Sequence, residues 1–201
     1  VKPTLLLALE GIDKSGKGTQ SAILAKELRD AGRTVACIDF PDYDTPLGNA
    51  IEDFLRGKVT FPPEVRQLLY VANRWERKPD LDAWLRAGQV VLARRYIYSG
   101  LAYGLANGLD LEWMLGLEKG LPAADLVFVL DISVASSFTR QQQNRDVYER
   151  DAAFLRRVRA AYLHLAPRFS WVVIDGERPP DEVAATIWGH VAPRLGAVPS
   201  S

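Results

Sequence analysis

Nine residues near the start of the chain, Gly11-Ile12-Asp13-Lys14-Ser15-Gly16-Lys17-Gly18-Thr19, hold the spacing with the clearest chemical meaning. Gly11, Gly16 and Lys17 fit G-x-x-x-x-G-K, in which backbone N–H groups wrap a polyphosphate and the lysine reaches its outer oxygens. Gly18 follows the lysine, so a hydroxyl able to face a metal comes one place later, at Thr19. Arg94 and Arg95 close an apolar run, and Arg140, Arg145 and Arg150 border or lie within a polar stretch, residues 141–150. Guanidinium groups gathered on one rim concentrate positive charge where phosphates meet. An ordinary surface pair is the plainer use of Arg94 and Arg95, and their place at a strand end argues against it. Tyr70 and Arg74, four apart in a helical pattern, could cover a base and clamp an oxyanion. Taken alone, residues at that spacing more often form a solvated helix edge.

The elements that must position these groups can be read from the hydrophobic pattern. Apolar runs at residues 5–9, 34–38, 90–92, 126–130 and 171–174 alternate with helical patterns. This specifies an α/β fold, a five-stranded parallel sheet flanked by helices. Ligands of such sheets sit beyond the carboxyl ends of the strands, where the glycine-rich loop and Arg94-Arg95 both fall. The helix after the loop, with Leu24, Leu28 and Ala31 on one face, favours anions at its N-terminus.

Residues 39–48 are turn-rich and carry Phe40, Pro41 and Tyr43. Their rings either line a cleft or pack the loop itself, and the residues alone leave both open. A helical pattern runs from Pro63 towards Ala87-Gly88, with a break or kink expected at Pro79 and a buried stripe of Val65, Leu68 or Leu69, Ala72 and Trp75. Residues 141–150 have the makeup of a lid over phosphates, or of a solvated turn. Phe154, Val158, Ala161 or Tyr162, and Leu165 predict a further buried stripe, in a helix ending before Pro167. A last helix is expected near residues 181–195, followed by a frayed tail from about 196.

With 201 residues, 48% hydrophobic, 25% charged and a formal net charge of +0, one soluble domain over residues 1–201 is expected, with no nucleic-acid or membrane partner. The single cysteine, Cys37, excludes an internal disulfide and reads as a small buried residue. The chain has neither a signal-peptide pattern nor a long apolar span, so a cytoplasmic enzyme is the natural class.

In order and wording these segments resemble the thymidylate kinases, a family of P-loop nucleoside monophosphate kinases with a short lid. The resemblance covers nearly the whole chain: residues 11–19, Phe40-Pro41, Ala72-Asn73-Arg74-Trp75-Glu76, Arg95-Tyr96-Ile97-Tyr98-Ser99-Gly100 and Tyr148-Glu149. The second and third of these sets after the loop, Ala-Asn-Arg-Trp-Glu and Arg-Tyr-x-x-Ser-Gly, are more specific to the family than the phosphate loop. The resemblance implies transfer of the γ-phosphoryl group of ATP to dTMP, with Mg²⁺, in a homodimer. It implies that Gly11, Lys14, Ser15, Gly16, Lys17, Gly18 and Thr19 hold the ATP phosphates. Arg140, Gly176, Arg178 and Pro179 would lie around the adenine. Asp13 would meet the 3′-hydroxyl, Arg74 the pyrimidine carbonyl, and Tyr70 would stack on the base. Phe40, Pro41, Tyr43, Leu55, Ser99, Gly100, Tyr103 and Tyr148 would complete the substrate pocket. Arg95 would hold the acceptor phosphate, and Lys17, Lys14, Arg95, Arg94 and Arg145 would act at the reaction centre.

Two positions depart from the family pattern. Arg94 stands where the family has an aspartate beside the Mg²⁺ site, and Tyr43 stands where many members have an arginine. Gly18 resembles the adenylate kinase variant of the loop and also lacks the usual hydroxyl. The metal ligands are therefore open, with Thr19 and Glu10 as candidates and Asp13, Asp39 and Asp131 as further carboxylates. A charge reversal beside a divalent cation weakens metal binding unless the guanidinium turns away. An introduced substitution, a different metal arrangement and a nucleotide-binding chain with impaired turnover are alternative readings of Arg94. A kinase for another deoxynucleotide such as dUMP is a second alternative. A deoxynucleoside kinase is disfavoured, because a neutral acceptor has no use for so many cations. Dimer surfaces are expected on the helix carrying Trp75 and near residues 51–55.

Overall fold

The computed structural model describes residues 4–140 and 146–196. Five parallel strands, β1 (Leu5–Glu10), β2 (Val35–Asp39), β3 (Val90–Arg94), β4 (Leu126–Asp131) and β5 (Val172–Asp175), form one sheet in the order β2-β3-β1-β4-β5. From β1 the chain runs to the edge at β2, returns to place β3 between them, and then crosses to the other side for β4 and β5. Ligands bind at such a switch point, beyond the strand ends.

The helices among the described residues are α1 (Lys17–Asp30), α2 (Pro46–Leu55), α3 (Pro63–Glu76), α4 (Lys78–Arg86), α5 (Ile97–Ala106), α6 (Leu111–Glu118), α7 (Val134–Arg140), α8 (Ala152–Arg168) and α9 (Pro180–Val191). Because successive side chains of a strand point to opposite faces, the sheet feeds two cores. Leu6, Ala8, Val91, Ala93, Val127 and Val129 face a cluster that includes Ile51, Phe54, Leu101, Phe154, Val158 and Leu165. Leu5, Leu7, Leu9, Val90, Leu92 and Phe128 face Leu24, Leu28, Val183 and Ile187, from α1 and α9. Full burial of β1 and near-full burial of β3 explain why their sequences read as apolar runs without polar alternation.

The break expected at Pro79 is present: the helical pattern divides at Arg77 into α3 and α4, and Pro79 lies in the first turn of α4, where its missing N–H breaks no helical bond. Other sequence expectations are corrected. The expected stripe on α3 holds only in part: Leu69 packs against the core and Ala72 is half-buried, but Val65 is 38%, Leu68 45% and Trp75 39% exposed, while Gln67, Val71, Asn73 and Arg74 are buried. Helix α8 runs through Pro167 to Arg168, so the proline occupies the last turn instead of ending the helix before it. Cys37 is exposed, because β2 is an edge strand whose residues 37 and 39 lie on an open face while Ile38 is buried. The stripe Phe154, Val158, Ala161, Tyr162 and Leu165 is buried as expected.

Candidate active site

The phosphate loop follows β1 directly. Gly11 has φ +128°, and a Cβ there would lie 2.5 Å from the Leu130 carbonyl oxygen of neighbouring β4. Only glycine lets the chain leave the sheet so tightly. Gly16, with φ +98°, precedes Lys17 and starts α1, whose first turn carries no acidic residue. Its N-terminal N–H groups are thus left facing the cleft, the arrangement that binds anions. Lys17 folds back on its own loop, Nζ donating to the Gly11 carbonyl at 2.9 Å, the Ile12 carbonyl at 2.7 Å and Ser15 Oγ at 3.3 Å. Burial first, and then the charge of Arg95, push its pKa down to about 7. The negative charge of an arriving polyanion opposes both effects by favouring the protonated ammonium.

A broad cleft of about 970 Å³ opens over this loop. Lys14, Ser15, Gly16, Lys17, Gly18, Thr19, Arg140, Gly176, Arg178 and Pro179 all line it. Gly11 does not reach it and contributes by the turn and its carbonyl. Arg140 ties the two walls together, donating to the Lys14 carbonyl and to the Gly176 carbonyl, each at 3.0 Å. Arg178 pairs with Glu182 at 2.8 Å.

A narrower pocket of about 220 Å³ adjoins the cleft. Asp13, Phe40, Pro41, Tyr43, Leu55, Tyr70, Arg74, Arg95, Ser99, Gly100, Tyr103 and Tyr148 line it. Tyr70 and Arg74 therefore face inward, and the solvated-edge reading of α3 is excluded. Arg74 is 2% exposed and its guanidinium grips Glu118 of α6 with Nε and Nη2. A Cβ at Gly100 would stand 2.8 Å from Arg74 Nη2, so the glycine on α5 leaves the guanidinium its place in the pocket wall. Phe40 packs against Tyr96 with ring centroids 5.6 Å apart and also walls both cavities, so the two readings of residues 39–48 hold together.

Of the polar stretch, residues 141–145 lie outside the described residues, and with them Arg145. Residues 146–150 form a turn packed over the pocket rather than a solvated one. The Val147 N–H donates to the Leu55 carbonyl at 3.2 Å, and Tyr148 stacks on Phe154 at 4.8 Å. Arg150 is exposed and lines neither cavity.

Asp13, Phe40, Pro41, Tyr43 and Arg95 line both cavities, so the two meet there. At this junction Arg95 Nη2 pairs with Asp13 Oδ1, and Tyr103 Oη donates to Asp13 Oδ2 at 3.1 Å. Burial alone would raise the Asp13 pKa, but the charges of Arg95 and Lys17 outweigh it and hold the carboxyl below its usual range. Lys14 and Arg95 both have positive φ, 62° and 55°. Non-glycine residues held there carry backbone strain, which concentrates at functional sites.

The sequence reading missed Arg66, Gln67 and Asn107 in the narrow pocket. Arg66 donates to Tyr148 Oη at 3.0 Å and to Asn107 Oδ1 at 3.1 Å, with its guanidinium carbon 5.2 Å from the Phe54 ring centroid. The usable signal was the row Arg66, Tyr70, Arg74, spaced by four on one helix face.

The carboxylates considered for a metal are each engaged. Glu10 accepts from the Tyr96 N–H at 2.9 Å and from Ser99 Oγ and Tyr162 Oη. Asp39 holds Arg94 with both oxygens, Asp13 holds Arg95 and Tyr103, and Asp131 holds Arg159 at 2.6 and 2.8 Å. Thr19 is left as an exposed hydroxyl without a carboxylate companion. Among the described residues no group of three His, Cys, Asp or Glu could hold a metal ion. The side chains present do not fit a protein-bound divalent cation.

A phosphate loop at the switch point of a β2-β3-β1-β4-β5 sheet, with a ring-walled pocket sharing its wall, defines the P-loop nucleoside monophosphate kinase fold. The family model described as thymidylate kinase matches residues 9–187. A thymidylate kinase of Arabidopsis thaliana is 37% identical over 93% of this chain and 71% of its own, and one of Danio rerio 35% identical over 89% and 85%. Among solved structures, thymidylate kinase from Candida albicans superposes with a TM-score of 0.87 at 28% identity, covering 100% of this chain and 97% of the other. The chain belongs to the thymidylate kinase family.

Proposed function

We propose that this chain is a kinase transferring the γ-phosphoryl group of ATP to dTMP, giving dTDP and ADP. The observation that carries the reading is the shared wall of the two cavities, with Arg95 lining the narrow pocket on one side and the broad cleft on the other. An oxygen of the acceptor phosphate attacks the γ-phosphorus. The bond from that phosphorus to the β–γ bridging oxygen breaks, and its electron pair leaves with ADP.

Such a transfer needs alignment and charge neutralisation more than covalent help from the protein. The loop N–H groups and Lys17 hold the donor phosphates, with Lys14 and Arg140 at the rim and Gly176, Arg178 and Pro179 beside the adenine. Asp13 receives the 3′-hydroxyl, and Tyr70, Arg74 and Tyr148 bound the base and sugar. Arg95 exchanges its Asp13 partner for the acceptor phosphate. Mg²⁺ finds no free carboxylate set among the described residues, so no step is assigned to a protein-held metal.

The test is ADP release with ATP as donor and dTMP, dUMP or thymidine as acceptor. Turnover is expected with dTMP first, and turnover with thymidine alone would sink the reading. The related alternative, an enzyme for dUMP, would show as equal or faster turnover with that acceptor.

The exposed Val65, Leu68 and Trp75 on α3 support a homodimer through that helix. Residues 51–55 are less suited, since Ile51, Phe54 and Leu55 are buried in their own core. Leu68→Glu is expected to give a monomer by sedimentation, and an unchanged mass would overturn this assembly. The described residues form one sheet with helices on both faces, which supports a single working domain.

A further inference from the structure

Arg94 ends β3 and its side chain crosses to β2, where Nε and Nη2 hold the two oxygens of Asp39. That bidentate grip fixes the plane of the guanidinium. The remaining nitrogen, Nη1, has no hydrogen-bond partner among the described residues and faces the phosphate loop. A Cβ built on Gly18 would stand 2.7 Å from it, and no other atom comes closer to that position. Gly18 is the second residue of α1, within the turn whose free N–H groups receive phosphates. Arg94, Asp39 and Gly18 all line the broad cleft. Absence of a side chain at residue 18 is thus the condition for the guanidinium to lie where it does. The Arg94 departure and the Gly18 variant of the loop are one structural unit.

From this we infer that Arg94 Nη1 is a fixed cationic donor to the outer phosphates of the nucleotide, standing in for a protein-held divalent cation, so that the chain binds metal-free ATP. This rests on the kinase reading of the cleft. Three observations support it together. The carboxylates that would hold a metal are engaged elsewhere, position 18 offers no hydroxyl, and a positive charge already occupies the ground beside the loop. A guanidinium and a dication cannot both sit there without mutual repulsion. A guanidinium also matches phosphate geometry, and its charge does not titrate near neutral pH.

The experiment is calorimetric titration of the full chain with ATP, once in excess EDTA and once in excess Mg²⁺, comparing the two dissociation constants. For the unaltered chain they are expected to agree within about threefold. Arg94→Gln is expected to weaken metal-free ATP binding by about tenfold or more, the scale of one charge-assisted hydrogen bond, while binding with Mg²⁺ changes far less. Gly18→Ser introduces a hydroxyl where Nη1 lies and is expected to move the ratio of the two constants in the same direction. Circular dichroism of both variants checks that the fold is retained.

ATP binding by the unaltered chain that requires Mg²⁺, or metal-free binding that survives Arg94→Gln intact, overturns the inference. If dTMP is still phosphorylated in Mg²⁺ in that case, the kinase reading stands without it. Failure to bind ATP under either condition overturns both.

Discussion

At the phosphate end of the cleft, Lys17, Arg94, Arg95 and Arg140 each hold an oxygen of the protein itself, whereas the base end is walled by Phe40, Tyr70, Tyr103 and Tyr148 and braced from below by one sealed ion pair, Arg74–Glu118. The cations of the first region must be shared with or released to a ligand, so their energy is spent on binding. In the second, Arg74 lines the pocket at 2% exposure with its charge already met by Glu118, so the pair braces α3 against α6. One end is therefore built to respond to charge, the other to hold shape.

The largest expected effect breaks the shape end. Arg74→Ala leaves the Glu118 carboxylate buried and unpaired, and should lower unfolding free energy by about 3–5 kcal/mol. A urea midpoint near that of the unaltered chain would mean that the pair does not brace the pocket. The double change Arg74→Met with Glu118→Leu should recover most of the loss, since no lone charge remains.

Next comes a change confined to the charge end. Lys17→Ala should lower turnover by about 10²- to 10³-fold, as for loss of a preorganised donor at developing charge. Calorimetric dTMP affinity should stay within a few-fold. An equal loss of dTMP binding would show that the two ends are not separable.

Between the ends lies Glu10, fully buried, with its pKa pushed up to about 7 from 4.5, by burial above all. Below pH 4.5 it is protonated whether the chain is folded or not. From 4.5 to 7 the folded chain keeps a proton that the unfolded chain has released, so this contribution to stability falls as pH rises and is gone above 7. Glu10→Gln cannot titrate, and its stability relative to the unaltered chain should rise by about 3 kcal/mol over that window. Chemical denaturation at pH 5 and pH 7.5 reads the difference, and a parallel pair of curves would count against it.

The smallest effect sharpens the base end. Arg66→Met keeps the apolar stem over Phe54 but removes the hydrogen bonds to Tyr148 and Asn107. A loss of about 1 kcal/mol in dTMP affinity is expected, with ATP affinity unchanged. Equal losses for both nucleotides would blur the distinction.

Much of this could be read in the chain. The strands fall within about two residues of the apolar runs, because buried parallel strands have a signal that little else imitates. The residues carried over to the base pocket all line it; for Arg74, Arg95, Ser99 and Gly100 this follows from local motifs whose side chains keep their relative places on a helix or a strand end, and for the rest from the family resemblance. Helix α3 was misread for a physical reason. Periodicity finds an apolar stripe and assigns it inward, yet here the inner face carries Gln67, Asn73 and Arg74 beside Val71, and Val65, Leu68 and Trp75 are turned out. Cys37 was misplaced because an apolar run does not say which strand will be the sheet edge.

By itself the sequence determined the sheet class, the phosphate loop and the family, all of which depend on short-range spacing and steric demands such as the turn at Gly11. Only the tertiary structure decided which charges are committed to one another. Arg94 and Asp39 are 55 positions apart, and Arg74 and Glu118 are 44 apart. No local pattern encodes such pairs, because a charge takes the partner that folding brings within a few ångströms of it, and Coulomb attraction is blind to distance along the chain.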